Sequence, residues 1–126
     1  MKKLITIFCI GAIASACDND KFPVDVPVKE KVSFKLDVQP ILNQECVSCH
    51  SPSAANAVDP DLRTGFAYES LMALPMGSIV KGDAEASELV AMLNGGGDNP
   101  MPPGATISAI KIALIKKWID DGALNN

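Results

Sequence analysis

From Phe34 onward the apolar positions recur with a helical period. Phe34, Val38, Ile41 and Leu42 fall at i, i+4, i+7 and i+8, which is one face of a helix. Pro40 lies inside this run, and proline is tolerated only in a helix's first turn. The first helix is therefore predicted to take Asp37 as its N-cap and to run from Val38 to about Cys46. Residues 51–60 carry the small and breaker residues of a loop, and a short helix is predicted over Ala67 to Ala73. Beyond Gly82, Asp83 or its neighbour caps a third helix whose face is Ala86, Leu89, Val90 and Leu93. Asn94-Gly95-Gly96-Gly97-Asp98-Asn99 stops it. A glycine run cradles phosphate only ahead of a helix; this one follows a helix and precedes prolines, and reads as a C-cap and loop. The last helix is predicted from Ala109 to about Asp121, with Gly122 as its stop. Ile107, Ile110, Leu114 and Trp118 form its apolar stripe, with Ile115 and Ile119 beside it, and Trp118 is expected to pack against the first helix.

The first 32 residues follow other rules. Lys2 and Lys3 precede an apolar run from Leu4 to Ile13, a basic n-region before an h-region of export-signal length. The run is too short for a comfortable transmembrane helix. Ala14-Ser15-Ala16-Cys17 resembles a bacterial lipoprotein box, in which the Cys becomes the first mature residue and carries lipid. Membrane attachment then comes from acyl chains on Cys17 rather than from a span, and the chain is expected in a bacterial cell envelope, on the periplasmic side of a membrane or at the cell surface. Residues 17–32 alternate charged and apolar residues around Pro23 and Pro27 and read as a tether. At about 3.1–3.3 Å per residue, such a linker reaches roughly 45–50 Å. The folded domain is expected over 33–126.

Composition sharpens this picture in two ways. The formal charge of −4 argues against nucleic acid as a partner. Four Phe, one Tyr and one Trp are a thin apolar supply for a small core, and small scaffolds usually need a disulfide, a metal or a cofactor as a staple. Of the four cysteines, only Cys46 and Cys49 lie in the predicted domain. A disulfide between them closes too small a loop to stabilise much.

Their job is legible from the run Cys46-Val47-Ser48-Cys49-His50, a Cys-x-x-Cys-His attachment signature of a c-type haem. Two thiols must each reach one vinyl group of a single porphyrin, and the next residue then lies beneath the ring, where its imidazole binds iron. His50 is the one His in the chain. Asn99-Pro100-Met101-Pro102-Pro103 supplies a second candidate ligand. Prolines on both sides stiffen the backbone around Met101, and a thioether opposite His raises an iron's reduction potential. Met92 lies inside a predicted helix, and Met72 and Met76 lie in or just after another. Arg63 and Trp118 are candidate contacts to haem propionates, through the guanidinium and the indole N–H.

A helix ending in Cys46-x-x-Cys49-His50, small helices, a Met-Pro loop and a terminal amphipathic helix together resemble the class I cytochrome c family. The nearer likeness is to single-haem bacterial domains, including planctomycete-type cytochrome c domains. It rests on Pro40-Ile41-Leu42 before the motif, Gly82-Asp83 through Ser87 and Leu89, Met101-Pro102, and Trp118-Ile119-Asp120-Asp121-Gly122-Ala123. It covers about residues 33–124. The resemblance implies an all-α fold of three to five helices around one covalent haem c. It implies electron transfer by iron cycling between Fe(III) and Fe(II), with redox partner proteins meeting the exposed haem edge and no small-molecule substrate. Enzymatic activity is not expected.

Rival chemistries have less to stand on. With an open distal position, the iron would instead serve a small-ligand sensor or a peroxidase-like enzyme, although no second His is present for acid–base work. Zinc wants four ligands, and the predicted domain offers two Cys and one His. A thioredoxin-like thiol pair needs a strand–helix context that the apolar pattern lacks.

Overall fold

A computed structural model describes residues 28–126; the export signal, Cys17 and most of the predicted tether lie outside the described residues. The described residues form helices and no strand. A π-helical turn, Phe34–Val38, runs directly into α1 (Gln39–Glu45), and α2 (Ala67–Met72), α3 (Glu88–Leu93) and α4 (Ala109–Asp120) follow. None of these helices is long and apolar enough to cross a membrane.

The first helix begins four residues earlier than the sequence predicts, and the reason lies in how Pro40 is accommodated. Its ring would collide with the carbonyl four residues back in a regular helix. The turn ahead of it is widened instead, with the Val38 N–H bonded to the Ser33 carbonyl and the Gln39 N–H to the Phe34 carbonyl. Ser33, not Asp37, is the N-cap. Its Oγ accepts from the Leu36 N–H at 3.3 Å, and Asp37 returns the favour by accepting from the Ser33 N–H at 2.9 Å. This is a capping box whose acidic partner sits one residue late, as the extra residue of a π turn requires. Lys29 pairs with the same carboxylate. Residues at the tether's end are thereby part of the domain, and Val32 is buried in the core.

Phe34, Val38, Ile41 and Leu42 are all buried, so the predicted face is the observed one. Three aromatic rings meet at its start. The Phe34 ring lies 5.3 Å from Tyr68 in an edge-on contact and 5.1 Å from Trp118. Each polar handle is engaged: Tyr68 Oη donates to the Ala123 carbonyl at 3.0 Å and Trp118 Nε1 to the Leu124 carbonyl at 2.9 Å. The cluster joins the π turn, α2 and α4 to the residues after α4. Asn126 closes the same region, its side-chain oxygen accepting from the Phe34 N–H at 2.8 Å.

Two helix stops follow the glycines. After α4, the Gly122 N–H bonds the Ile119 carbonyl and the Ala123 N–H the Trp118 carbonyl, with Gly122 at φ +98°. After α3, the Gly95 and Gly96 N–H groups bond Met92 and Ala91 in the same pattern. Both are Schellman stops, which place a left-handed residue just past the helix.

Two predicted details change. α3 starts at Glu88 because the buried Ser87 hydroxyl accepts from the Val80 N–H and donates to the Asp83 carbonyl, satisfying the preceding backbone without helix. Ala84 is buried and Ala86 exposed. On α4 the buried stripe is Ile115, Trp118 and Ile119; Ile110 stands half exposed.

Lys29, and after it the Ser33 amide, holds the Asp37 carboxyl below its ordinary value. A depressed folded value means that this contribution is complete above about pH 4 and is lost as pH falls through the folded value. Asp37→Asn should therefore flatten the acid-side loss of stability in urea titrations below about pH 4, and Ser33→Ala should cost about 1 kcal/mol at neutral pH.

Candidate functional site

Cys46 is the C-cap of α1, its N–H still bonded to the Leu42 carbonyl at 2.9 Å. The chain then folds into a tight turn, in which the Cys49 and His50 N–H groups both reach the Cys46 carbonyl, at 3.1 and 2.9 Å. The turn is pinned from outside. The loop returns alongside it, with the Val58 N–H on the Cys49 carbonyl and the Leu62 N–H on the His50 carbonyl. Leu62 is held in turn by the buried Gln39, whose Nε2 donates to its carbonyl at 3.0 Å. Gln39 is a site-building residue that the sequence reading passed over. Its polarity hid it, since only burial turns a glutamine into a brace.

Facing this turn is the segment after α3. The Met92 carbonyl accepts from the Gly95 N–H and again from the Met101 N–H at 3.0 Å. The glycine loop thus turns back on the helix end and sets Met101 beside Met92. Gly95 and Gly97 adopt φ +78° and +72°, which permits so short a return.

Between the two walls lies a cavity of about 450 Å³, within the range of small-molecule and cofactor sites. Cys46, Cys49 and His50 line one side, Met92, Met101, Pro102 and Pro103 another, and core residues of the helices close it. Its surface is overwhelmingly apolar. Lys111 of α4 ties the adjacent Glu45 across the edge. The second hollow, about 290 Å³, adjoins it at Leu71 and Leu74 and takes Met72 and Met76; Met76 is fully exposed. Of the candidate thioethers, only Met92 and Met101 therefore face the cavity among the described residues.

The donors have distinct environments. The His50 Nδ1 is buried and has no hydrogen-bond partner among the described residues. Both thiols are free, Cys49 exposed and Cys46 half-buried. Burial, then the nearby Glu45 and Cys49, pushes the Cys46 thiol up to about 11. Reactive redox thiols show the opposite shift, so the geometry does not favour a thiol–disulfide site. No group of three or more His, Cys, Asp or Glu side chains converges among the described residues, as structural zinc would need.

Arg63 and Trp118 each find a local partner. Arg63 does not line the cavity. Its guanidinium is spread along Asp61, with Nη2 to Oδ2 at 2.8 Å, and lies 4.9 Å from the Phe66 ring centroid. Trp118 does line the cavity, but its only polar atom is already donated to Leu124. Local partners have taken both groups, because a carboxylate two residues away and a carbonyl six residues away cost little chain entropy to reach.

No family model matches the chain, and no curated protein does. Among solved structures, a chain of Kuenenia stuttgartiensis hydrazine synthase is similar, with 24% identity and a TM-score of 0.53 over 74% of this chain. The likeness is one of fold, and it takes in 16% of that longer protein.

The thiol environments lead to a direct test. In the cofactor-free chain at pH 8, iodoacetamide should modify Cys46 at least tenfold more slowly than a free cysteine peptide, since little of it is thiolate. Mass spectrometry of time points reads the rate, and Cys49 should be modified first.

Proposed function

We propose that this chain is an electron carrier, an exported and lipid-anchored c-type cytochrome with one covalent haem and His50 and Met101 as iron ligands. The observation that carries this reading is the gathering of Cys46, Cys49, His50 and Met101 around a single apolar cavity. These residues are up to 55 positions apart in the chain, and the fold need not have brought them together.

The residues fit the group. Two free thiols stand at one wall beside an imidazole whose Nδ1 no protein group holds. A thioether stands at another, on a backbone fixed by flanking prolines and by the bond to Met92. The hollow of about 450 Å³ is lined overwhelmingly by apolar side chains, and its volume lies in the range of cofactor sites. A large, flat, apolar group belongs there. When bound, haem supplies a one-electron Fe(III)/Fe(II) couple.

The chain's own residues then set how that couple behaves. Cys46 and Cys49 would hold the group through thioether bonds. His50 and Met101 would be the protein's ligands to its iron, and ligation by both would leave no place for a substrate. The apolar walls exclude water and so disfavour the more highly charged oxidised form, as does the Met101 thioether. Cys49, exposed at the cavity edge, lies where electrons enter and leave. Lipid on Cys17 would keep this traffic at a membrane of the cell envelope.

Coexpression with a haem-attachment system should give a protein that stains for haem after denaturing electrophoresis and shows the weak far-red band of Met–Fe(III) ligation. Met101→Ala should keep the stain, lose the band and lower the potential on the order of a hundred millivolts, within the ~0.8 V over which axial ligands act. A band that persists would move ligation to Met92; a chain that never stains sinks the reading. Changing both Cys46 and Cys49 to Ser should abolish the stain and leave no cooperative thermal transition.

A further inference from the structure

We infer that the mouth of the cavity is a docking surface for a positively charged redox partner. This rests on the electron-carrier reading above.

The mouth is defined by the cavity-lining residues that are exposed: Cys49, Asn56, Val58, Asp59, Glu88 and Pro103. Val58 and Pro103 give it an apolar surface beside the exposed Cys49. Its charges are of one sign. Asp59 and Glu88 are carboxylates, and no Lys or Arg lines any part of the cavity. Neither carboxylate forms an ion pair among the described residues. The third acid, Glu45, is matched by Lys111.

None of the described lysines and arginines lines this mouth, and most are engaged in ion pairs elsewhere. Lys29, Arg63, Lys116 and Lys117 pair with Asp37, Asp61, Glu85 and Asp121. Lys81 lies at the other hollow. An apolar patch edged by unpaired charges of one sign suits a partner that must arrive quickly and leave quickly. Its apolar centre makes a small contact, and its rim charges raise the encounter rate. Low-dielectric walls behind the carboxylates focus their field outward. Two acidic side chains at an electron exit favour a partner with lysines or arginines around its own redox centre, and repel an acidic one.

Stopped-flow oxidation of the reduced, haem-loaded chain tests this with two probes, cationic tris(phenanthroline)cobalt(III) and anionic ferricyanide. In each reaction one electron leaves Fe(II), giving Fe(III), and reduces Co(III) to Co(II) or ferricyanide to ferrocyanide. The cobalt rate should fall as salt rises and the ferricyanide rate should climb. Asp59→Asn with Glu88→Gln should slow the cobalt reaction roughly three- to tenfold at low salt, flatten both salt dependences and leave the optical spectrum intact. Glu69→Gln, an exposed carboxylate away from the mouth, should change neither. Equal salt slopes in wild type and the double variant, or an equal effect from Glu69→Gln, would overturn the inference. Binding of a hexalysine peptide to the purified chain, followed by amide chemical shifts, separates the two layers of the argument. Shifts confined to residues 56–59 and Glu88 support the docking surface whether or not haem is found. Shifts spread evenly over the acidic surface overturn it.

Discussion

A hollow in the middle of the core is the constraint on which the rest of this structure depends. In a chain of this size the helices would ordinarily meet side chain to side chain. Here Leu42, Leu62, Leu71, Leu93, Ile107, Ile115 and Trp118 are buried yet face a common cavity. Apolar attraction is non-directional and does not by itself orient such walls.

Their orientation comes from polar brackets outside the cavity. The capping box at Ser33 and Asp37 and the bond from Gln39 to Leu62 fix the wall that carries the two thiols and the imidazole. The Schellman stop of α3 and the bond from Met101 to Met92 fix the wall that carries the thioether. Phe34, Tyr68 and Trp118 join these walls on the far side, with their polar atoms bonded to the carbonyls after α4. The scarcity of aromatics is then understandable. Three of them make one joint, and apart from Trp118 the cavity is lined without aromatic side chains.

The same economy governs charge. Five of the described lysines and arginines are held in ion pairs, and the charged residues that line the cavity are carboxylates. A face that is apolar at its centre and acidic at its rim follows from where the cations are not. The net charge alone locates nothing.

Local rules made much of this protein legible from its residues alone. Helical periodicity marked the buried face of the first helix, glycine after an apolar run marked both helix stops, and the Cys-x-x-Cys-His spacing marked the turn between Cys46 and His50. Each depends on residues within a few positions of one another, where covalent geometry limits the outcomes. The errors share the opposite cause. Pro40 argued for a late helix start until a π turn, held by Ser33 and a lysine upstream, made room for it. Asp61 and Leu124 bond Arg63 and Trp118, partners that no helical period in the sequence marks. Ile110 fitted its stripe in the sequence, yet stands exposed because packing turned α4 toward Ile115 and Ile119. The sequence by itself determined which chemistry the chain carries: two thiols, one imidazole and a proline-bound thioether. Only the tertiary structure decided that they meet at one cavity, that Met92 and Met101 rather than Met72 and Met76 face it, and that its mouth is acidic. Those outcomes depend on contacts between distant segments, and no local preference specifies them.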